Sequence, residues 1–252
     1  MPKFGLVGRH LSHSFSPAYF QSKFERLDLP DHQYLLLDWP DVMHFRQFVQ
    51  ANPEFVGFNV TIPFKVDIIP QLDQMDPVAA AVGAVNTVLV DEGGMTCGFN
   101  TDIVGIEHSL DILLGTHMPR LALILGTGGA AKAVAFVLRQ RAIPFEFVSR
   151  GGKGIGISYA EANARMLQNA DLIINTSPLG MSPNIDLSPA IDVNLLHADQ
   201  YLFDLIYNPE KTVFLAEGQR RGAKILSGKF MLEAQAEASW KLWNSPRTNG
   251  HK

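Results

Sequence analysis

The sequence predicts an α/β protein in two domains, an N-terminal α/β domain followed by a doubly wound parallel sheet. Three observations lead there. Short apolar runs alternate with amphipathic segments, the pattern of strands and helices stacked in layers. From about Asp102 the alternation becomes regular, with continuous apolar strands such as Leu121-Ala122-Leu123-Ile124-Leu125, which suit parallel strands covered on both faces. The chain's 252 residues suffice for two domains of ordinary size, each with its own core.

Taken in order, the first 101 residues hold candidate strands at Phe4–Gly8, Gln33–Asp38, Phe55–Ile62, Thr87–Val90 and Thr96–Phe99. Candidate helices lie between them at Pro17–Leu27, Val42–Ala51, Val66–Leu72 and Pro77–Val82. A helix over Asp102–Leu114 opens the second domain, expected to span 102–228. Its strands are Leu121–Leu125, Pro144–Val148, Asp171–Asn175, Tyr201–Leu205 and Ala223–Leu226, with a helix at Ala130–Arg141 and further helical segments between the later strands. In the last segment, Leu232, Ala236, Trp240 and Trp243 share one helical face. That helix, 229–244, is expected to pack back on the first domain.

Composition narrows the function classes. The chain is 46% hydrophobic and 18% charged, ordinary for a folded protein. Its 25 acidic and 21 basic residues are spread without a basic block or acidic tail, so neither nucleic acid nor an anionic membrane is the expected partner. A small molecule is. The single cysteine, Cys97, cannot form an intramolecular disulfide and suits a reducing cytoplasm. The N-terminus lacks the apolar core of a secretory signal, and no apolar run reaches membrane-span length. The histidines are scattered, so no metal site is expected.

Gly126-Thr127-Gly128-Gly129-Ala130-Ala131 follows a strand and opens a helix, matching G-x-G-x-x-G/A in the context the motif requires. Gly126 permits the tight turn, Gly128 lets backbone approach a pyrophosphate, and Ala131 lets helix pack close on strand. The helix N-terminus adds amide donors and a positive dipole end. This makes the second domain a Rossmann-type candidate. After the next strand comes Ser149-Arg150-Gly151-Gly152-Lys153, where an NAD site would place an acid for the ribose 2′-hydroxyl. Arg150 can instead hold a 2′-phosphate through its planar fork, with Lys153 adding charge, so NADP(H) is the expected cofactor. The plain alternative is a Gly-rich surface turn with two solvated cations.

Seven polar clusters complete the pattern. They are Ser12-His13-Ser14-Phe15-Ser16-Pro17, Asn59-Val60-Thr61-Ile62-Pro63-Phe64-Lys65, Gly83-Ala84-Val85-Asn86-Thr87 and Gly98-Phe99-Asn100-Thr101-Asp102, then Asn175-Thr176-Ser177-Pro178-Leu179-Gly180-Met181, Asp204-Leu205-Ile206-Tyr207-Asn208-Pro209 and Gly228-Lys229-Phe230-Met231-Leu232-Glu233-Ala234-Gln235-Ala236. In this order, with the Gly126 turn, they resemble the shikimate dehydrogenase family over nearly the whole chain. The resemblance implies reversible NADPH-dependent reduction of 3-dehydroshikimate by a monomer or homodimer. It implies that Lys65 and Asp102 are the catalytic pair, and that Ser14 and Ser16 hold the substrate carboxylate with Tyr207. Asn59, Thr61, Asn86 and Gln235 would complete the substrate site, and Thr176 and Gly228 would join Gly126, Gly128, Gly129, Ala130, Ser149, Arg150 and Lys153 around the cofactor. Departures from the family pattern fall at His10, at Phe20-Gln21, and at Ser149 and Gly151 beside Arg150.

Each assignment has a plain structural counterpart. In an extended segment Ser14 and Ser16 would face the same way. Ser16 before Pro17 also reads as an N-cap followed by N1. Asp102, at a strand-to-helix junction, also reads as an N-cap carboxylate. A lone lysine such as Lys65 is usually a solvated surface group. Two rival functions share these features: a quinate dehydrogenase on the same fold, and a non-catalytic sensor binding both ligands.

Overall fold

A computed structural model describes residues 1–151 and 156–245. Among the described residues, twelve strands form two six-stranded sheets, accompanied by eight α-helices. The chain divides into two compact units: residues up to Thr101 with those from Ala236 onward, and Asp102–Gln235.

In the first unit the order is β1 (Lys3–Gly8), α1 (Ser16–Arg26), β2 (Gln33–Asp38), α2 (Phe45–Ala51), β3 (Phe55–Val60), β4 (Gln74–Met75), α3 (Pro77–Val82), β5 (Thr87–Val90) and β6 (Thr96–Phe99). The sheet runs β2-β1-β3-β5-β6-β4. Strands β1, β2 and β3 are parallel, and β5 is antiparallel to both β3 and β6. One hydrophobic cluster gathers Phe45, Val49, Phe58, Val60, Phe64, Ile68, Val85 and Val88. A second gathers Phe4, Phe20 and Phe24 with Ala236 and Trp243 of the terminal helix. The Trp243 indole lies against β3 at Gly57, where a Cβ would come within 2.3 Å of its Nε1. That Nε1–H donates to Val88 O at 3.0 Å.

The second unit holds α4 (Asp102–Leu114), β7 (Ala122–Leu125), α5 (Gly129–Gln140), β8 (Phe145–Ser149), β9 (Ile157–Ser158), α6 (Tyr159–Arg165), β10 (Leu172–Asn175), β11 (Tyr201–Asp204), α7 (Val213–Arg220) and β12 (Lys224–Leu226). Its sheet runs β12-β11-β10-β7-β8-β9 with every pairing parallel, the Rossmann-like arrangement expected. Leu123, Leu125, Val148, Ile173, Leu202 and Phe214 form its core. The last helix, α8 (Lys229–Asn244), is shared: Lys229–Gln235 cluster with the second unit and the remainder with the first.

Several local expectations give way. No α-helix forms over Val66–Leu72; a 3₁₀ turn over Ile69–Gln71 stands there instead, because Pro70 has no amide to donate. The helix expected from Val42 starts at Phe45, since the Asp41 carboxylate first accepts the Met43 N–H at 2.9 Å and turns the chain. Strand β3 stops at Val60, and the chain then turns through a cis Ile62–Pro63 peptide.

Candidate functional site

In the second unit β7 delivers the glycine turn to the middle of the sheet, where the chain leaves β7 for β8 on one side and later returns to β10 on the other. Such a switch point is where open parallel sheets bind ligands. Gly126 has φ +126°, and a Cβ there would lie 2.6 Å from Thr176 Oγ1. Only glycine fits both demands. Gly128 is the extended N-cap of α5, and a Cβ there would meet nothing within 4 Å, so the space above the helix start is open. Gly129 and Ala130 form the first turn of α5, and Ala131 is fully buried beneath them. Thr176, just past β10, is fastened to Leu125 O by its amide at 3.1 Å and its hydroxyl at 2.9 Å.

Ser149 ends β8, beside the glycine turn's strand. Arg150 follows it, exposed, and its charge holds down the pKa of the Tyr159 phenol against a larger upward push from burial. Lys153 lies outside the described residues. Gly228 is buried between β12 and α8 and donates its N–H to Ile206 O at 3.0 Å. Tyr207 and Gln235 are partly buried, and Gln235 Nε2 donates to Leu232 O at 2.9 Å. The donors fit a dinucleotide: open backbone amides at a helix start, and an arginine rather than an acid beyond β8.

In the first unit the polar residues meet more tightly than their spacing suggested. Ser14 Oγ accepts the Ser16 N–H at 3.3 Å. Two expectations fail here. The segment is not extended, because Phe15 is already helical, and Phe15 rather than Ser16 occupies the N-cap position of α1. Burial pushes the pKa of the Tyr34 hydroxyl upward, with the Ser16 side chain pulling it partly back. Tyr34 in turn donates to Asn59 Oδ1 at 2.8 Å. Asn59 Nδ2 donates to Ser239 Oγ at 2.9 Å and Thr87 Oγ1 at 3.2 Å. Both ends of the Asn59 amide are therefore engaged inside the protein. Asn86 Oδ1 accepts the Thr101 N–H at 2.6 Å.

Thr61 follows β3, its N–H bonded to Val7 O and its carbonyl to the Phe64 N–H, both at 2.9 Å. Lys65 is partly buried, and its carbonyl accepts the Val85 N–H at 2.7 Å. Asp102 is buried and opens α4 as its first helical residue, one peptide after Thr101, rather than standing outside it as an N-cap. Tyr34 and Ser239 lie outside the seven polar clusters of the sequence, yet both bind Asn59 within them. Ser239 had a signal: it is a polar residue on the helical face of Leu232, Ala236 and Trp243.

An all-parallel sheet with an open glycine turn at its switch point defines a dinucleotide-binding α/β protein. Residues 6–88 match the model described as the shikimate dehydrogenase substrate binding domain. An NADP(+) shikimate dehydrogenase of Staphylococcus epidermidis is 36% identical, covering 96% of this chain and 92% of that protein. Another, of Methanocaldococcus jannaschii, is 34% identical over 97% of this chain and 92% of its own. The crystal structure of the Thermus thermophilus shikimate 5-dehydrogenase in complex with NADP(H) and shikimate superposes with a TM-score of 0.83 at 30% identity, covering 98% and 94% of the two chains. The chain belongs to the shikimate dehydrogenase family, a family of oxidoreductases.

Proposed function

We propose that this protein catalyses the reversible, NADPH-dependent reduction of 3-dehydroshikimate to shikimate in the cytoplasm. The observation carrying this reading is the similarity, over nearly the whole chain, to relatives named for that activity. Residues 1–101 hold the substrate and 102–228 the nucleotide. The amides of Gly126, Gly128, Gly129 and Ala130 receive the pyrophosphate, Thr176 and Gly228 border the nicotinamide half, and Ser149, Arg150 and Lys153 take the 2′-phosphate. When bound, NADPH supplies the hydride.

The chain's own residues do the rest. Ser14, Ser16 and Tyr207 offer hydroxyl donors to the substrate carboxylate. Thr61, Asn86 and Gln235 orient the ring hydroxyls. Asn59, with both ends of its amide engaged in the protein, supports these ligands from behind. As the ketone is reduced, negative charge grows on its oxygen. The Lys65 ammonium stabilises that charge and gives the oxygen its proton. Asp102 orients Lys65 and accepts a hydrogen bond from a ring hydroxyl.

Nicotinamide absorbance with shikimate or quinate, each paired with NADP or NAD, tests the reading. Turnover mainly with shikimate and NADP is expected. Turnover that favours quinate or NAD would keep the family but overturn the specificity, and ligand binding without turnover would make the protein a sensor. Lys65→Ala should lower kcat by about 10²–10⁴-fold, the range for losing a positioned acid. Near-normal turnover in that variant would remove Lys65 from the chemistry.

A further inference from the structure

The terminal helix delivers one hydroxyl to the centre of a buried polar knot. Ser239 Oγ lies 2.8 Å from Thr87 Oγ1, 3.1 Å from Thr101 Oγ1 and 2.9 Å from Asn59 Nδ2. The two threonine hydroxyls are 3.0 Å apart. Both reach Asn86 Oδ1, Thr87 at 3.1 Å and Thr101 at 3.2 Å. That oxygen also takes the Thr101 amide at 2.6 Å. None of these five side chains exceeds 5% exposure. They come from β3, the residues around the start of β5, the residue before α4, and α8.

Burying three hydroxyls and two amides is unfavourable unless each finds a partner, and valine or alanine would fill the same space without that demand. What the knot adds is direction. The Asn59 amide is oriented by the Asn86 backbone carbonyl, which can only accept and takes an Nδ2 hydrogen at 3.4 Å; the Tyr34, Ser239 and Thr87 hydroxyls, each able to donate or accept, adjust to that orientation. Asn86 is fixed similarly, with three donors on its oxygen. Its acceptance of the Thr101 N–H and O–H ties down the peptide that leads into Asp102.

We infer that Thr87, Thr101 and Ser239 are positioning residues, a hydroxyl knot that sets the orientation of the Asn86 amide and of the backbone entering Asp102. This rests on the proposed roles of Asn86 and Asp102. A reacting geometry tolerates little displacement; a shift of about 1 Å costs on the order of 10²-fold in rate. The knot therefore acts on the substrate side of the reaction and leaves nucleotide binding alone.

The test compares Thr87→Val, Thr101→Val and Ser239→Ala with the hydroxyl-preserving Thr87→Ser and Thr101→Ser, and with Asp102→Asn. Valine keeps the shape of threonine but leaves its buried partners without a hydroxyl, so a modest loss of stability is expected, and thermal unfolding checks that the fold survives. The expected result is a loss of about 10- to 100-fold in kcat/KM for shikimate in the valine variants, with KM for NADP unchanged. Each serine variant should recover most of that activity. If the valine variants keep wild-type kcat/KM while Asp102→Asn is inactive, the inference is overturned and the catalytic reading stands. A loss matched by a lowered unfolding temperature and by impaired NADP binding would mark the knot as structural only, which also overturns it. Should Asp102→Asn turn over normally, the catalytic reading fails and takes the inference with it.

Discussion

Asp204 is a carboxylate with no exposure, at the end of β11. Burial pushes its pKa up to about 6, against the pull of three donors: the Thr212 hydroxyl at 2.6 Å, the Ile206 N–H at 3.0 Å and the Asn175 amide at 3.0 Å. Desolvation wins because it disfavours the charged form outright, while the hydrogen bonds only partly replace water. A raised folded pKa means that folding takes up a proton. The stability from this group is full below about pH 4 and is lost as pH rises through about 6. Asp171 runs the opposite way: the Arg120 side chain holds its pKa down, so its contribution falls in acid. A raw pH profile therefore blends the two. Subtraction of an Asp204→Asn profile isolates Asp204. Urea unfolding at pH 4 and pH 7 should show the wild type losing on the order of 3 kcal/mol relative to the variant between those pH values. Parallel profiles would mean that the carboxylate is as well solvated folded as unfolded.

At the scale of elements, α8 and β3 depend on each other through one missing side chain. Gly57 leaves room for the Trp243 indole, whose N–H is spent on Val88 O at 3.0 Å. Gly57→Ala would push the indole off β3 and strain that bond. Overpacking of this kind costs about 1–3 kcal/mol. Urea denaturation of Gly57→Ala should show it, and an unchanged midpoint would mean that the helix yields freely. The Trp243 stripe was legible in the sequence as a helical face; the glycine beneath it was not, because that contact joins residues distant in the chain. The same division runs through the fold. Apolar runs such as Leu172–Asn175 announce themselves, whereas Gln74–Met75 is a strand only because β6 pairs with it. The Val66–Leu72 segment read as a helix by apolar spacing, but spacing carries no record of Pro70's missing amide. In the site, the glycine turn was legible because backbone geometry demands glycine at Gly126. The Tyr34–Asn59–Ser239 chain was hidden, since each polar group looks like an ordinary surface or capping group until the fold brings them together.

For the whole molecule, each of the two units has its own core, so the proposed division of labour is open to a test that needs no turnover. A ligand that binds only the folded state adds RT ln(1 + [L]/Kd), about 2.7 kcal/mol at one hundred times Kd. For a chain of this length that corresponds to a rise of about 5–10 °C in the unfolding temperature. NADP and shikimate should each give such a rise in the wild type, NADP more than NAD at equal concentration. Arg150→Ala should bring the NADP shift down to the size of the NAD shift and leave the shikimate shift whole, because guanidinium–phosphate pairing distinguishes the two nucleotides. Thermal unfolding of both proteins with each ligand makes the comparison. An Arg150→Ala variant that lowers the NADP and NAD shifts equally would move the 2′-phosphate contact away from Arg150. A shikimate shift lost together with the NADP shift would mean that Arg150 acts on the first unit as well, and the assignment of one ligand to each unit would fall.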